Sequence, residues 1–129
     1  MSADLLNMFG RTHEDCAETV RLAAETGLAG GSIEDASGDD SAPIYPFDVA
    51  VERVVAAAEA ARASNFVLTA RAENFLHGRP DLDDTIRRLQ AFADAGADVL
   101  YAPGLPSLDA IREVCASVPR PVNLSLIHI

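Results

Sequence analysis

The feature that most restricts this chain is the regular alternation of short apolar runs with longer segments of helical periodicity. "THEDCAETVRLAAETG" reads as a helix. Thr12 can cap it, and Asp15 stands three residues later, where a capping box carries its acid. Cys16, Val20, Ala23 and Ala24 fall on one face, and Gly27 offers the left-handed residue that ends it. "PFDVAVERVVAAAEAARA" predicts a second helix, entered at Pro46, with Val51, Val54, Val55 and Ala58 on its core face. "LDDTIRRLQAFADAG" predicts a third, capped by Asp81, closed by Gly96 and buried through Leu82, Ile86, Leu89 and Phe92 or Ala93. "SLDAIREVCASV" predicts a fourth, capped by Ser107. The runs around them read as strands: a fragment in "SADL", then "LAGGSIED", "NFVLTAR", "ADVLYAP" and "RPVNLSL". Such alternation implies a parallel sheet covered by helices. Its rhythm suits a (β/α)8 barrel or an open doubly wound sheet.

In both architectures chemistry gathers at the C-terminal ends of the strands. Glu34-Asp35 closes one strand, Arg71 closes the next, and Asp4 lies in the opening fragment. These ends would bring acids and an arginine to one mouth. A strand-end acid can hold a divalent cation, and an arginine can grip a carboxylate with two parallel hydrogen bonds. The same pattern also fits a solvated acidic loop and a structural ion pair. His77, in the loop "FLHGRPD", reads as a surface residue, and Cys16 and Cys115 read as core residues rather than nucleophiles. There is no G-x-G-x-x-G and no P-loop, and "APGLPS" lacks phosphate-loop spacing.

Composition narrows the partners. The 129 residues are 49% apolar, enough for the core of one domain. The formal net charge of −10 repels phosphate backbones and anionic lipid, so neither nucleic acid nor a membrane surface is expected as a partner. No run approaches the ~20 apolar residues of a membrane span, and no basic segment precedes an apolar one at the N-terminus. Two cysteines far apart in sequence suit a reduced, cytoplasmic protein.

Together, "SADLLNMFG", "GLAGGSIEDASGDDSAPIY", "FVLTARAENFLHGRPDLDDTIRRLQAFADAGADVLYAPGL" and "RPVN" resemble the isocitrate lyase/phosphoenolpyruvate mutase superfamily, in its order and spacing. The resemblance implies an α/β fold: a section of a (β/α)8 TIM barrel, roughly strand three to strand seven, with helices on the outer face. It implies a Mg2+-dependent lyase or mutase that makes or breaks a C–C or P–C bond next to a 2-oxo acid, through an enolate-like state. The substrate would be a small carboxylate or phosphonate, and the full-length parent a homotetramer with a helix exchanged between subunits. Carried over by position, Asp4 and Glu34 belong to the metal site, and Glu34 and Arg71 to the catalytic set. Arg71 and Asn123 bind substrate, and residues 36–45 form a gating loop that excludes water.

Departures from the family pattern sharpen this. Leu6 stands where a second acid is usual, Met8 where a glycine is usual, and Pro103 where several members carry Glu or His. The gating segment lacks the K-x-C-G-H sequence of isocitrate and methylisocitrate lyases, and with it their cysteine. Those two activities are not expected. A non-catalytic ligand- or partner-binding α/β domain and a degenerate, inactive paralogue remain the alternatives. A whole barrel needs roughly 250 residues, so residues 1–123 are expected to be part of one. The last six, "LSLIHI", leave the family pattern abruptly and can be encoded by a common sequencing adaptor read in frame. They are expected to be a non-native tail in which His128 has no function.

Overall fold

A computed structural model describes the backbone of residues 2–4 and, in full, residues 12–123. Leu6, Met8 and the 124–129 tail lie outside the described residues, as do the expectations that concern them.

Among the described residues, five strands and four helices alternate. They are β1 (Ser2–Asp4), α1 (His13–Glu25), β2 (Gly30–Glu34), α2 (Phe47–Ala63), β3 (Val67–Arg71), α3 (Leu82–Ala95), β4 (Val99–Tyr101), α4 (Leu108–Ser117) and β5 (Val122–Asn123). All strand pairs are parallel, and the spatial order is β1-β2-β3-β4-β5. A doubly wound sheet would reverse that order. Monotonic order with right-handed crossovers places every helix on one face, as in a barrel wall. Successive helices accordingly touch: α1 with α2, α2 with α3, α3 with α4.

The helix ends follow the local chemistry. Thr12 Oγ1 accepts from the Asp15 amide at 3.1 Å and the Asp15 carboxylate accepts from the Thr12 amide, a complete capping box. The Asp81 side chain caps α3 by accepting from the Asp84 amide, and the Ser107 side chain caps α4 by accepting from the Ala110 amide. Gly96 ends α3 at φ 113°. The core lies between sheet and helices, built from Ile33, Leu68, Ala70 and Leu100 against Val20, Val54, Ala57, Ala58, Leu89, Phe92 and Val114.

Two helical faces differ from expectation. On α2 the buried set is Ala50, Arg53, Val54, Ala57, Ala58 and Ala61, whereas Val55 is exposed. Small alanines let α1 and α3 approach closely, so the buried stripe is rotated toward Ala50, Ala57 and Ala61, with Val54 kept and Val55 left outside. On α4, Val114 takes the core position and Cys115 is exposed, while Cys16 is fully buried. Burial pushes the Cys16 thiol up to about 11, so it stays protonated and inert.

Candidate active site

Period-two alternation divides the strand-end residues between the two faces of the sheet. In β2, Ile33 enters the core, Glu34 turns to the bare inner face, and Asp35 turns back toward the helices. The two adjacent carboxylates therefore do not share a mouth. Asp35 is fully enclosed: its Oδ2 meets Arg88 Nη1 of α3 at 2.9 Å, and its Oδ1 accepts from the Glu73 amide at 2.7 Å. Burial pushes its carboxyl above the usual range, with the Glu73 amide and Arg88 pulling against that rise. Its work is structural.

Glu34 belongs to a row. Strand register sets Glu34 opposite Arg71, Arg71 opposite Tyr101, and Tyr101 opposite Asn123. Four neighbouring strands thus each present one residue at the same level of the C-terminal edge. Asp4, on the strand beside β2, is opposite Ser32, one same-face step below Glu34. Of the residues expected from sequence, Glu34, Arg71 and Asn123 share the row, and Asp4 occupies the level beneath.

The arginine is held from three sides. Its Nη2 donates to Glu73 Oε2 at 3.2 Å and Oε1 at 3.4 Å, and lies 4.0 Å from Glu34 Oε2. Its guanidinium carbon lies 5.2 Å from the Tyr101 ring centroid. Arg71 and Glu34 are only 16% and 12% exposed, so their charges interact with little screening by water. Glu73 is buried more deeply. Desolvation raises its carboxyl above the usual range, against the opposing pull of Arg71 and of the Glu34 carboxyl within hydrogen-bond reach. His77 lies at the surface, as expected; its Nε2 is 3.7 Å from Glu73 Oε1 and its amide donates to the Glu73 carbonyl at 3.1 Å.

Sequence reasoning missed Glu73 and Tyr101. The signal for Glu73 was present: in "RAE" it follows Arg71 by two residues and so shares its parity. Tyr101 needed the strand register, which no local pattern carries.

The segment after Asp35 is a laced hairpin rather than an open loop. Ala36 and Ile44 form an antiparallel bridge, the Tyr45 amide donates to the Asp35 carbonyl at 2.8 Å, and the Ser37 amide donates to the Pro43 carbonyl at 2.9 Å. At its tip Asp39 Oδ1 accepts from the Ser41 amide and hydroxyl at 2.9 and 2.7 Å.

The family profile of phosphoenolpyruvate phosphomutase matches residues 1–128. The chain belongs to the phosphoenolpyruvate mutase/isocitrate lyase superfamily. It is 31% identical to 2-methylisocitrate lyase of Salmonella typhimurium over 125 residues, covering 91% of this chain and 42% of that enzyme. A Burkholderia cenocepacia J2315 protein assigned as a lyase/mutase superposes with a TM-score of 0.92 at 56% identity, over 98% of this chain and 49% of that one. Phosphonopyruvate hydrolase in complex with oxalate and Mg2+ superposes with a TM-score of 0.81 at 25% identity, over 94% of this chain and 44% of that one. The chain thus spans about half the length of the relatives it matches. With the monotonic strand order, these superpositions establish the section of α/β barrel wall expected from sequence.

No helix among the described residues is long and apolar enough to cross a membrane.

Proposed function

We propose that this chain carries one side of the mouth of a Mg2+-dependent lyase or mutase that makes or breaks a C–C or P–C bond beside a 2-oxo acid. The observation that carries this reading is the row Glu34–Arg71–Tyr101–Asn123 at the C-terminal edge of the parallel sheet. A neighbour of the same fold is complexed with oxalate and Mg2+. Oxalate has the planar, vicinal oxygens of a 2-oxo acid enolate.

The donor set suits Mg2+. Among the described residues no three His, Cys, Asp or Glu side chains gather as a metal cluster. Mg2+ is commonly held by one or two carboxylates while water and substrate complete its shell. Glu34, with Asp4 on the next strand, would provide those carboxylates. Bound there, the ion would supply Lewis acidity where enolate charge develops.

The chain's own residues do the rest. Arg71 offers a planar fork to a substrate carboxylate, and Glu73 keeps that fork from swinging away. Tyr101 covers the guanidinium, and Asn123 offers an amide at the far end of the row. The 36–45 hairpin hangs directly from the strand that carries Glu34, a place from which it can exclude water. The substrate class is a small carboxylate or phosphonate, and the parent assembly a homotetramer.

Oxalate is the probe that tests this. Saturable oxalate binding in the presence of Mg2+ is expected by titration calorimetry. Arg71→Lys, which keeps the charge but loses the fork, is expected to weaken it about tenfold or more. Unchanged affinity in that variant would make Arg71 a structural ion-pair partner.

A further inference from the structure

Behind the sheet, on the side away from the mouth, one arginine joins three pieces of chain. Arg88 of α3 is 4% exposed. Its Nη1 lies 2.9 Å from Asp35 Oδ2, and its Nε lies 2.8 Å from Asp84 Oδ2. The same Asp84 oxygen accepts from Asn74 Nδ2 at 2.8 Å. The other oxygen of Asp35 accepts from the Glu73 amide at 2.7 Å, and the Asp35 carbonyl accepts from the Tyr45 amide at 2.8 Å. Arg88 therefore fixes the end of β2, the turn after β3 and the N-terminus of α3 against one another.

Two of those pieces lead to the mouth by a single link, and the third supports them through Asn74. Asp35 is the residue after Glu34 and the base of the 36–45 hairpin. Glu73, whose amide is pinned by Asp35, grips the Arg71 guanidinium with its carboxylate on the other side of the sheet. Asn74, the next residue, is pinned through Asp84. The guanidinium has the reach and the fork for this task. It places two donors in different directions, one per carboxylate, which the single ammonium of a lysine cannot do.

We propose that Arg88 is a positioning residue of the mouth, which bridges Asp35 and Asp84 behind the sheet and thereby sets Glu73, and through it Arg71, at the geometry that receives a carboxylate. This rests on the reading of the mouth given above. It assigns a functional consequence to a helix residue that touches neither substrate nor metal.

Arg88→Lys keeps the charge and removes the bridge. In the variant, exchange of the Glu73 and Tyr45 amides is expected to accelerate about tenfold or more relative to the amides of β4, because local opening at the node no longer requires global unfolding. Mg2+-dependent oxalate affinity is expected to fall about tenfold, since small misplacements at a binding site have large consequences. The control is Phe92→Leu, a core change on the same helix that leaves the node intact. It is expected to lower the unfolding midpoint without moving either local exchange or affinity. If Arg88→Lys leaves the two amides and the affinity at wild-type values, or if Phe92→Leu shifts them equally, Arg88 is a stabilising residue only and the proposal is overturned. Should the wild type fail to bind oxalate, the functional reading falls by itself, and the exchange comparison still decides the claim about Arg88.

Discussion

At the scale of the residue, Glu34 and Asp35 show how one peptide unit separates chemistry from architecture. The strand pleat turns the first toward the inner face and the second into an enclosed pair with Arg88. Their substitutions should therefore differ in kind. Asp35→Ala strands a buried guanidinium and is expected to cost about 3–5 kcal/mol in urea denaturation. Glu34→Gln keeps shape and volume, and is expected to change stability by less than about 1 kcal/mol. Glu73 adds a pH signature. Its carboxyl is raised in the fold above its ordinary 4.5. Between that ordinary value and the raised one, the folded protein holds a proton that the unfolded chain has released. The contribution of Glu73 thus favours the fold at low pH and is lost as pH rises through that window, and buried Asp35 acts in the same direction. A Glu73→Gln variant should show a shallower fall in unfolding midpoint across the weakly acidic range. An unchanged slope would place the titration elsewhere.

At the scale of the element, the caps and the helix–strand order were legible. Thr12, Asp81, Ser107 and Gly96 sit where local rules put them, because capping is decided within four residues of sequence. The face of α2 was not legible. Its apolar residues almost encircle the helix, so periodicity could not choose between the valines and the alanines, and only the spacing of neighbouring helices decides. Arg88 was hidden for a similar reason: a charged residue in "TIRRLQ" reads as the solvent side of α3 until its partner Asp35, just past the end of β2, is known. Gly30 shows the same dependence on a neighbour. A Cβ there would stand 2.7 Å from the Val67 carbonyl oxygen, so β2 and β3 pair closely only with glycine. Gly30→Ala is expected to destabilise by about 1–3 kcal/mol through forced backbone movement, read as a lowered urea midpoint. A neutral result would show that the strand edge is free to move apart.

At the scale of the whole molecule, the monotonic parallel sheet aligns four side chains from four strands into one row, and no single segment contains that row. Its members were found by two routes. Glu34 and Arg71 are strand-terminal charges visible in the sequence, and Asn123 came from resemblance. Tyr101 emerged only from register. The central claim is that this row receives Mg2+ and a small carboxylate. Amide chemical-shift mapping tests it most directly, titrating oxalate into the 15N-labelled chain with Mg2+ and again with the metal chelated. The account predicts saturable shifts concentrated at Glu34, Arg71, Glu73, Tyr101 and Asn123, present only with Mg2+ and abolished by Glu34→Gln. Shifts that cluster instead at the opposite edge of the sheet, around Arg62, Asn65 and Asp98, or that persist in Glu34→Gln, would contradict it.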